Sequence, residues 1–501
     1  MANGSMVAVL SDIHIGNDEN TCWYQRSVHE PYLLDALNWI ADNASMLQEV
    51  ILLGDLVDTW TYAPSVTPPT MAEIVAANPN VLGSSGALAN VVKAVPKVTY
   101  LLGNHDGTLT SADIAALQGS VGQIEMVEPV HVLTGSTGAR TVFSHGHYWT
   151  MFNAPDPNSP WNTLPVGHFV TRAFSYMMAK QLAGTNKTVA DFPNMGYPNG
   201  IDILAFIEHL LPNFSPDIPS LLLNYVSGVS GMSDSEPITL PDGKTKTTIA
   251  EARTTYANLF TEWETKDGTQ NAGRAALADS SGVWLAWFAQ RLAIQQGADL
   301  CVMGHTHTPV GGLGVSSITY YNSGFECASG PDMSKSPPAL FTFTLVDLDQ
   351  PAAEIFSVTP GSEPDIATVP ALPSAVIQPP SAADMSCFVR ILNKSAQPLT
   401  LTGTPAASHG YWVVPPPQTI PAGGRGDGWL QDYVGAKGSA GTFSYQGAGD
   451  FSVSCPTGVV QNTVSGAGGN FIARSAGGAW SFKGNFPAWG HPLQVIFTVG
   501  G

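Results

Sequence analysis

The chain has 501 residues, and at about 150 residues per domain this length predicts two or three domains. The net charge of −19 argues against a nucleic-acid-binding surface, which is normally basic. Charged residues make up 12% of the chain, against about 25% in an average protein, and 51 Gly and 38 Pro are present. We therefore expect a folded, loop-rich protein and exclude a disordered one.

The apolar segments of the chain are all short. None approaches the roughly 18 residues that a membrane-spanning helix needs, which predicts a soluble protein. Residues 1–6 contain no basic segment followed by an apolar one, so no secretory signal is visible and we expect a cytoplasmic location. If residues 2–5 are a cloning remnant, a leader removed ahead of Met6 would be invisible, and export stays open.

Five polar motifs each follow a short apolar run that predicts a buried strand. The runs are Val7–Leu10, Val50–Leu53, Val98–Leu102, Thr141–Phe143 and Leu300–Met303. The motifs are Asp12-Ile13-His14, Gly54-Asp55-Leu56-Val57-Asp58, Gly103-Asn104-His105-Asp106, His145-Gly146-His147 and Gly304-His305-Thr306-His307. Between the first two runs, apolar residues on one face predict a helix over residues 32–49 that packs on the sheet.

Strands that alternate with helical stretches predict an open α/β sheet, whose sites form at the carboxyl ends of its strands. Motifs that are far apart in sequence would therefore converge at one edge. Asp, His and Asn supply oxygen and nitrogen donors, which suit Mn, Fe, Zn or similar divalent ions better than a thiolate site would. A carboxylate shared by two ions about 3.5 to 4 Å apart can hold an attacking and a leaving oxygen.

The order DxH, GDxxD, GNHD, HGH and GHTH resembles that of the calcineurin-like metallophosphoesterases over about residues 6–357. The resemblance implies an α/β fold, a β-sandwich flanked by helices, with two divalent metal ions (Mn, Fe, Zn or similar). It also implies that a metal-bound hydroxide attacks the phosphorus of a phosphate monoester or diester. The ligands implied are Asp12, His14, Asp55 and His307 for one ion, and Asp55, Asn104, His145 and His305 for the other.

His105 and Asp106 complete the catalytic residues that the resemblance implies. His105 corresponds to a histidine that is not a ligand but touches the scissile phosphate and can protonate the leaving oxygen. Asp106 and Asp58 look like residues that hold ligands in place through hydrogen bonds, and the alternative is that both merely cap turns.

Three further residues could contact the substrate. His147 is the second histidine of its motif, and it either supports the ligand His145 or faces the substrate. Trp60 and Tyr62 follow the bridging aspartate closely and could flank the substrate. The alternative for both aromatic residues is that they pack their loop against the sheet.

Between His147 and the strand at Leu300 lies an insertion of about 130 residues within a separation of 152, far more than a crossover needs. We expect a mainly helical cap over about residues 150–280. Its position resembles that of the helical cap in the UDP-2,3-diacylglucosamine pyrophosphatases, although GNHD departs from that branch. The predicted helices are Val166–Leu182, Ile201–Leu211, Leu221–Val229, Ile249–Glu264 and Ser281–Gln296, the last being a crossover of the sheet.

The apolar residues of this cap have two interpretations. Phe169, Phe174, Met177, Met178, Phe206 and Leu210 could lie over the metal site and bind an apolar substrate group. Alternatively, they form the small core of the cap itself. The first interpretation would favour a phosphodiester or phosphoanhydride with an apolar, lipid-derived part.

The remainder of the chain predicts the end of one domain, a linker and a second domain. Strands at Leu340–Leu348 and Ala353–Val358 would close the catalytic domain at residue 357, and a Pro-rich linker would span 358–383. Short alternating segments divided by Gly and Pro turns predict a β-sandwich over 384–501. That region has a net charge of about +2 and weakly resembles the aegerolysins on segments such as His409-Gly410-Tyr411-Trp412.

The aegerolysin resemblance implies contact between residues 384–501 and a lipid or membrane surface, whereas the alternative is a structural or oligomer-forming role. For the whole protein, the alternatives to a phosphoesterase are a pyrophosphate hydrolase for a nucleotide- or lipid-linked substrate, or a metal-binding scaffold without turnover. The oligomeric state and a Cys387–Cys455 disulfide stay open.

Overall fold

Two β-sheets that face each other form the centre of the protein. The computed structural model describes residues 4–191, 217–279, 282–307, 309–315, 318–324, 341–367, 385–433, 437–457, 460–475, 478–482 and 486–500. Among these residues, the first sheet has seven strands in the order β14-β13-β12-β1-β2-β3-β4. Strands β1 to β4 are mutually parallel, and β12 to β14 add antiparallel strands beside β1. The strands are β1 Met6–Leu10, β2 Leu47–Leu53, β3 Val98–Leu101, β4 Glu125–Met126, β12 Phe341–Asp347, β13 Ala352–Val358 and β14 Asp365–Ile366.

The second sheet has five described strands in the order β10-β11-β9-β6-β5. Its centre is parallel, since β9 runs parallel to both β6 and β11. The strands are β5 His131–Thr134, β6 Arg140–Phe143, β9 Leu300–Met303, β10 Val310–Val315 and β11 Ile318–Asn322. Alternate residues of the two sheets, among them Val9, Ile51, Phe143 and Val302, meet in a buried apolar layer between them.

Helices cover both outer faces of this sandwich. Helices α1 to α5 pack against the first sheet, and α11 packs against β9 and β11 of the second. The helices are α1 Arg26–Asp42, α2 Met71–Ala77, α3 Pro79–Leu82, α4 Ala87–Ala94, α5 Ser111–Val121, α6 Val166–Leu182, α7 Ile218–Ser230, α8 Ile249–Thr255, α9 Leu259–Asp267, α10 Thr269–Ala278 and α11 Gly282–Gln296. The predicted α/β sandwich flanked by helices is confirmed.

The first predicted helix differs from the observed one in both bounds. The prediction of residues 32–49 was wrong at its end, because α1 stops at Asp42 and Leu47 already begins β2. Between them lies the short turn Ala44–Met46. The reason is tertiary: β2 pairs with β1 from Leu47 and with β3 from Val50, and this pairing overrides the apolar spacing that also suits a helix.

The insertion contains helices α6 to α10 and a small hairpin. The predicted helix Ile249–Glu264 is instead two helices, α8 and α9, separated at Tyr256 to Asn258. The hairpin consists of β7 Ile238–Thr239 and β8 Lys246–Thr247. The predicted helix Ile201–Leu211, with Phe206 and Leu210, lies outside the described residues.

The apolar side chains of the insertion are buried against one another. Phe169, Phe174 and Met177 belong to one apolar cluster that includes Leu222, and Met178 packs with Leu182 and Val189. These residues therefore form the core of the cap, and those described do not present an apolar surface to a substrate. This overturns the expectation of apolar substrate contacts from them.

Residues beyond 385 form further β-sheets around a separate apolar core. A six-stranded sheet faces a four-stranded one, and residues such as Ile391, Phe443, Phe451 and Phe497 fill the space between them. The strands are β15 Cys387–Asn393, β16 Leu399–Thr400, β17 Ala406–His409, β18 Tyr411–Val414, β19 Thr419–Ile420, β20 Arg425–Gln431, β21 Ser439–Tyr445, β22 Gly449–Cys455, β23 Thr463–Ser465, β24 Phe471–Ser475, β25 Ser481–Phe482 and β26 Leu493–Val499. The bounds 6–357, 358–383 and 384–501 stay predictions, and 368–384 lies outside the described residues.

The C-terminal sheets are attached to the catalytic sandwich through α11. The ring of Trp429 on β20 lies 5.0 Å from that of Trp287 on α11, and both side chains are fully buried. Asp299, between α11 and β9, accepts a hydrogen bond from Arg425 at 2.9 Å and lies 3.6 Å from Arg390. The C-terminal unit thus covers an apolar face of the catalytic unit.

Two open questions from the sequence concern cysteines and membranes. Cys387 and Cys455 are both buried, and neither forms a disulfide with another described residue. Among the described helices, none combines the length and the hydropathy needed to cross a bilayer.

Candidate metal centre

The first group of candidate ligands lies where β1, β2 and β9 end. Asp12, His14, Asp55 and His307 place their ligand atoms within 4.8 Å of one another. The Nε2 atoms of His14 and His307 are 3.1 Å apart, and Oδ2 of Asp55 lies 3.7 Å from Nε2 of His14. Four side chains from three separate loops therefore surround one point.

The second group lies on the other side of Asp55. Nε2 of His145, which follows β6, lies 3.2 Å from Oδ2 of Asp55 and 3.3 Å from Oδ1 of Asn104. Nδ1 of His305 lies 3.0 Å from the same Asn104 oxygen. Because Asp55 Oδ2 approaches histidines of both groups, it is the carboxylate that the two groups share.

The backbone is strained at most of these residues. Positive φ angles between 52° and 74° occur at five of them: Asp12, His14, Asp55, His305 and His307. This is the left-handed region, which residues other than Gly seldom adopt. Such conformations cost about 1 to 3 kcal/mol each and persist where the surrounding structure imposes them, often at functional sites. All five residues lie in the loops that follow β1, β2 and β9.

Two glycines allow the loops that carry them to lie close to the carboxylates of Asp55 and Asp12. A Cβ atom at Gly103 would lie 2.2 Å from Oδ1 of Asp55, and one at Gly304 would lie 2.7 Å from Oδ2 of Asp12. Both contacts are closer than real Cβ atoms make. The glycines of the GNHD and GHTH motifs therefore leave room for the carboxylates that the loops enclose.

The donors of the site fit two divalent cations. Oδ2 of Asp12 is buried and has no hydrogen-bond partner within the described chain. Burial raises the pKa of Asp12, and the neighbouring charge of Asp55 adds to this effect. A buried carboxylate oxygen without a donor, beside histidine nitrogens that face each other, is the arrangement that a bound cation stabilises.

Hydrogen bonds fix which nitrogen each histidine presents. Nδ1 of His145 is 2.8 Å from the carbonyl oxygen of Leu53, and Nδ1 of His14 is 3.1 Å from Oδ2 of Asp58, so both present Nε2 to the centre. Burial opposes protonation of His145, but Asp55 and Asp12 together raise its pKa to about 9. A cation beside these carboxylates would take the place of that proton.

Asp58 joins a candidate ligand to the candidate acid. Its Oδ2 is 3.1 Å from Nδ1 of His14 and 3.1 Å from Nδ1 of His105. Its Oδ1 accepts hydrogen bonds from the backbone N–H groups of Trp60 and Thr61. Burial disfavours charge on Asp58, yet His105 and His14 hold its pKa far below the usual value, so it is a carboxylate that orients both rings.

Asp106 lies behind the ligands and contacts backbone and tyrosine groups. It accepts hydrogen bonds from Tyr100 Oη, from the N–H of Gly103 and, at 2.9 Å, from the N–H of Leu56. Burial and the charge of Asp55 raise the pKa of Asp106 to about 7. Its contacts hold the GDxxD and GNHD loops together, which is an orienting role.

The three residues considered for substrate contact are all buried, but they differ in their surroundings. The Trp60 ring stacks on His105, with centroids 4.2 Å apart. His147 lies beside His145, with centroids 5.3 Å apart, and its Nδ1 has no described partner. Tyr62 instead accepts a hydrogen bond from the backbone N–H of Asn17 at 3.2 Å, which holds one loop against another.

The insertion supplies contacts that the sequence did not reveal. Oδ1 of Asp279, at the end of α10, lies 3.4 Å from Nε2 of His305 and accepts a hydrogen bond from Asn153 at 2.8 Å. Asn153 in turn accepts one from the side chain of Asn104. Neither Asp279 nor Asn153 lies in a recognisable motif, so no pattern in the sequence could have identified them.

Trp23 was also missed, because it stands outside every motif. Its ring lies 4.8 Å from that of His14, 5.1 Å from that of His105 and 5.5 Å from that of His307. An isolated tryptophan in a loop has no spacing that predicts such a position. In the structure it forms one aromatic wall of the centre.

Residues 5–197 match the family model of calcineurin-like phosphoesterases. This confirms the predicted resemblance to calcineurin-like phosphoesterases over that span. No curated protein matches the sequence.

Several solved structures are distantly similar. A dimetal phosphatase from Danio rerio is 14% identical, with 70% of this chain and 95% of that chain covered and a TM-score of 0.27. The phosphopantetheinyl hydrolase from Mycobacterium tuberculosis is 12% identical, with 65% and 90% covered and a TM-score of 0.26. The lipid binding protein Nakanori is 14% identical, with 24% and 72% covered and a TM-score of 0.18.

Proposed function

We propose that the protein hydrolyses phosphate esters with the help of two divalent metal ions. The observation that carries this proposal is the position of Asp55, one buried carboxylate between two groups of oxygen and nitrogen donors. Asp12, His14, Asp55 and His307 would hold one ion, and Asp55, Asn104, His145 and His305 would hold the other. Bound ions would activate a water molecule and neutralise charge on the phosphoryl oxygens.

The residues of the chain itself would orient the reactants and move a proton. The Asp58 carboxylate holds the His105 ring through Nδ1, and the stacked ring of Trp60 fixes its plane. Burial opposes charge on His105, but Asp58 and Asp55 raise its pKa, which favours the protonated ring. His105 would then donate the proton on Nε2 to the leaving oxygen as the ester bond breaks.

Replacing candidate ligands tests this proposal. We expect Asp55→Ala and His305→Ala to lower hydrolysis of p-nitrophenyl phosphate and bis(p-nitrophenyl) phosphate by about 10²-fold or more, because each variant loses a ligand. Circular dichroism should show that both variants stay folded. Full activity in either variant after removal of metal would contradict the mechanism.

Elemental analysis distinguishes the enzyme from a scaffold without turnover. About two metal ions per chain is the result expected for a two-metal enzyme, and a value near zero would favour the scaffold. The same protein can then be tested on mono-substituted phosphates, bis-substituted phosphates and pyrophosphates, since the metal ligands alone do not separate these substrates.

The proposal also includes contact between residues 384–501 and a lipid surface. This contact needs a separate experiment. Trp489 and Val460 are both more than half exposed, and Asn462 joins their loops through hydrogen bonds to Pro487 and Ala488. Exposed apolar residues that lie together can insert into a bilayer surface. Co-sedimentation with phosphatidylcholine vesicles should detect this binding, and Trp489→Ala should weaken it.

A further inference from the structure

A cavity of about 260 Å³ lies directly beside the second group of ligands. Its walls include Asn104 and Asn153 on the side of the metal centre, together with His147 and Tyr148. Asn104 is a candidate ligand and Asn153 donates a hydrogen bond to Asp279, so one wall of this inner cavity is formed by the centre itself. The inner cavity therefore borders the candidate metal centre.

A second cavity, of about 600 Å³, adjoins the first. Thr108 and Leu164 line both cavities, so they meet at these two residues. The outer cavity lies between the catalytic unit and the insertion, whose β7–β8 hairpin forms one wall. The other residues that line it include Thr59, Thr67, Pro68, Trp161, Asn162, Leu240 and Lys244.

A strained turn of the insertion separates the two cavities. Asn162 and Thr163 are consecutive residues with positive φ, 51° and 58°, and neither is a glycine. The turn is held by a hydrogen bond from the Leu164 N–H to the Trp161 carbonyl at 3.1 Å, and Tyr256 donates to the Leu164 carbonyl. Asn162 faces the outer cavity and Thr163 the inner one.

Polar groups on these walls have unused hydrogen-bonding capacity. Nδ1 of His147 is buried without a partner within the described chain. The side chains of Thr108, Thr163 and Asn162 make no hydrogen bond to any described residue, and those of Thr163 and Asn162 are exposed. A buried imidazole nitrogen without a partner costs free energy that a ligand hydroxyl could recover.

The charges on the walls do not favour an anionic group. Glu128 lines the inner cavity, and Asp113 and Asp242 line the outer one, against a single lysine, Lys244, among the described lining residues. The Trp161 ring, packed on Phe169 with centroids 5.1 Å apart, offers an aromatic surface beside the hydroxyl groups. An aromatic ring next to unpaired polar groups suits a ligand that has both an apolar ring face and hydroxyls.

We propose that the two cavities bind the alcohol part of the substrate, and that this part is an uncharged ring with several hydroxyl groups, of the sugar type. This inference rests on the proposed phosphoesterase function, because the phosphate of the same substrate would lie at the metal centre. The hydroxyls would bond to Thr108, Thr163, Asn162 and His147, and the ring would pack against Trp161.

Two phosphates of equal charge and ring size test the inference. Glucose 1-phosphate carries ring hydroxyls, whereas cyclohexyl phosphate does not. Calorimetric titration of the Mn-loaded protein should show glucose 1-phosphate binding about tenfold more tightly, the effect of one or two hydrogen bonds. Thr108→Val, which keeps the shape of the side chain but removes its hydroxyl, should lower this ratio, and Trp161→Phe should preserve more of it than Trp161→Ala.

Tyr433→Ala serves as a control, because Tyr433 is an exposed aromatic residue outside both cavities, and it should keep the ratio of the unchanged protein. Equal affinity for the two phosphates, or a ratio that none of the cavity variants changes, would overturn the inference. If the preference for glucose 1-phosphate is present but no ester is hydrolysed, the proposed function fails and the cavity assignment stands. If esters are hydrolysed without this preference, the cavity assignment alone fails.

Discussion

Individual side chains of the insertion complete the candidate metal centre. The carboxylate of Asp279 lies 3.4 Å from Nε2 of His305, while Nδ1 of the same ring faces Asn104. A carboxylate on the outer nitrogen of a ligating histidine fixes the ring and makes the other nitrogen a better donor. The catalytic motifs and the insertion therefore depend on each other at the level of single atoms.

We expect Asp279→Asn to weaken binding of the second metal ion by about 10- to 100-fold. The substitution keeps the shape of the side chain but removes the negative charge near His305, and it replaces one of the two oxygens that accept hydrogen bonds from Asn153 and from the N–H of Phe152. Metal titration followed by elemental analysis measures the effect. Asp267→Asn is a matched control on the same insertion, because Asp267 pairs with Arg291 at 3.0 Å, away from the centre, and it should leave metal affinity unchanged.

Among individual site residues, the sequence predicted those that lie in a local motif. Asp12, Asp55, Asn104 and His305 could be named because each lies in a short pattern at the end of a strand. Asp279 could not, because it is 26 positions from His305 and its place depends on how α10 packs. The substrate-facing roles considered for Trp60 and Tyr62 stay predictions, and the structure places Tyr62 in a contact between loops.

Helix α1 contains a buried histidine that makes the stability of this element depend on pH. Nδ1 of His29 lies 2.7 Å from the backbone N of Gln25 and 3.0 Å from the Gln25 carbonyl oxygen, so the ring is held against the first turn of the helix. Burial lowers the pKa of His29 from 6.5 to about 4. The start of a helix also disfavours a positive charge.

We expect the protein to lose about 3 kcal/mol of unfolding free energy through His29 as the pH falls from 7 to 4. The folded-state pKa is below the unfolded value, so this contribution is complete above pH 6.5 and is lost as the pH falls toward 4. Urea unfolding at several pH values measures it. His29→Gln should flatten this part of the profile, and an unchanged slope would show that the ring is not the titrating group.

The elements that matched prediction were those with a clear local boundary. Helix α6, Val166–Leu182, has the predicted bounds, since Pro165 precedes it. The break between α8 and α9 could not be predicted, because no Gly or Pro marks it. It coincides with Tyr256, whose buried ring and bond to Leu164 tie that point of the chain to the turn at the cavities.

The whole molecule depends on the contact between α11 and the C-terminal sheets. Trp287 was predicted to lie on a crossover helix of the catalytic sheet, and it does so. The same residue also packs against Trp429, and Phe388 stacks on Trp429 with centroids 5.4 Å apart. Sequence patterns describe the apolar face of each unit, but they do not say which faces pair.

We expect Trp429→Ala to lower the free energy of unfolding by about 3 to 5 kcal/mol, because it removes a large, fully buried ring. The Trp287 side chain would lose its contact with the Trp429 ring, so the catalytic unit should be destabilised as well. Chemical denaturation followed by tryptophan fluorescence and by esterase activity measures both effects. Ile366→Ala, at an exposed position, should change stability by less than about 0.5 kcal/mol, and equal effects of the two variants would contradict a stabilising interface.

The positive φ angles of the five candidate ligand residues bear on how such a chain would evolve. Each of these residues adopts a conformation that glycine would adopt at lower cost, so their presence lowers stability where they stand. In a lineage released from selection for hydrolysis, glycine or asparagine at these positions would be favoured by stability alone. Loss of the reaction should therefore leave its earliest trace at Asp12, His14, Asp55, His305 and His307, ahead of the apolar core.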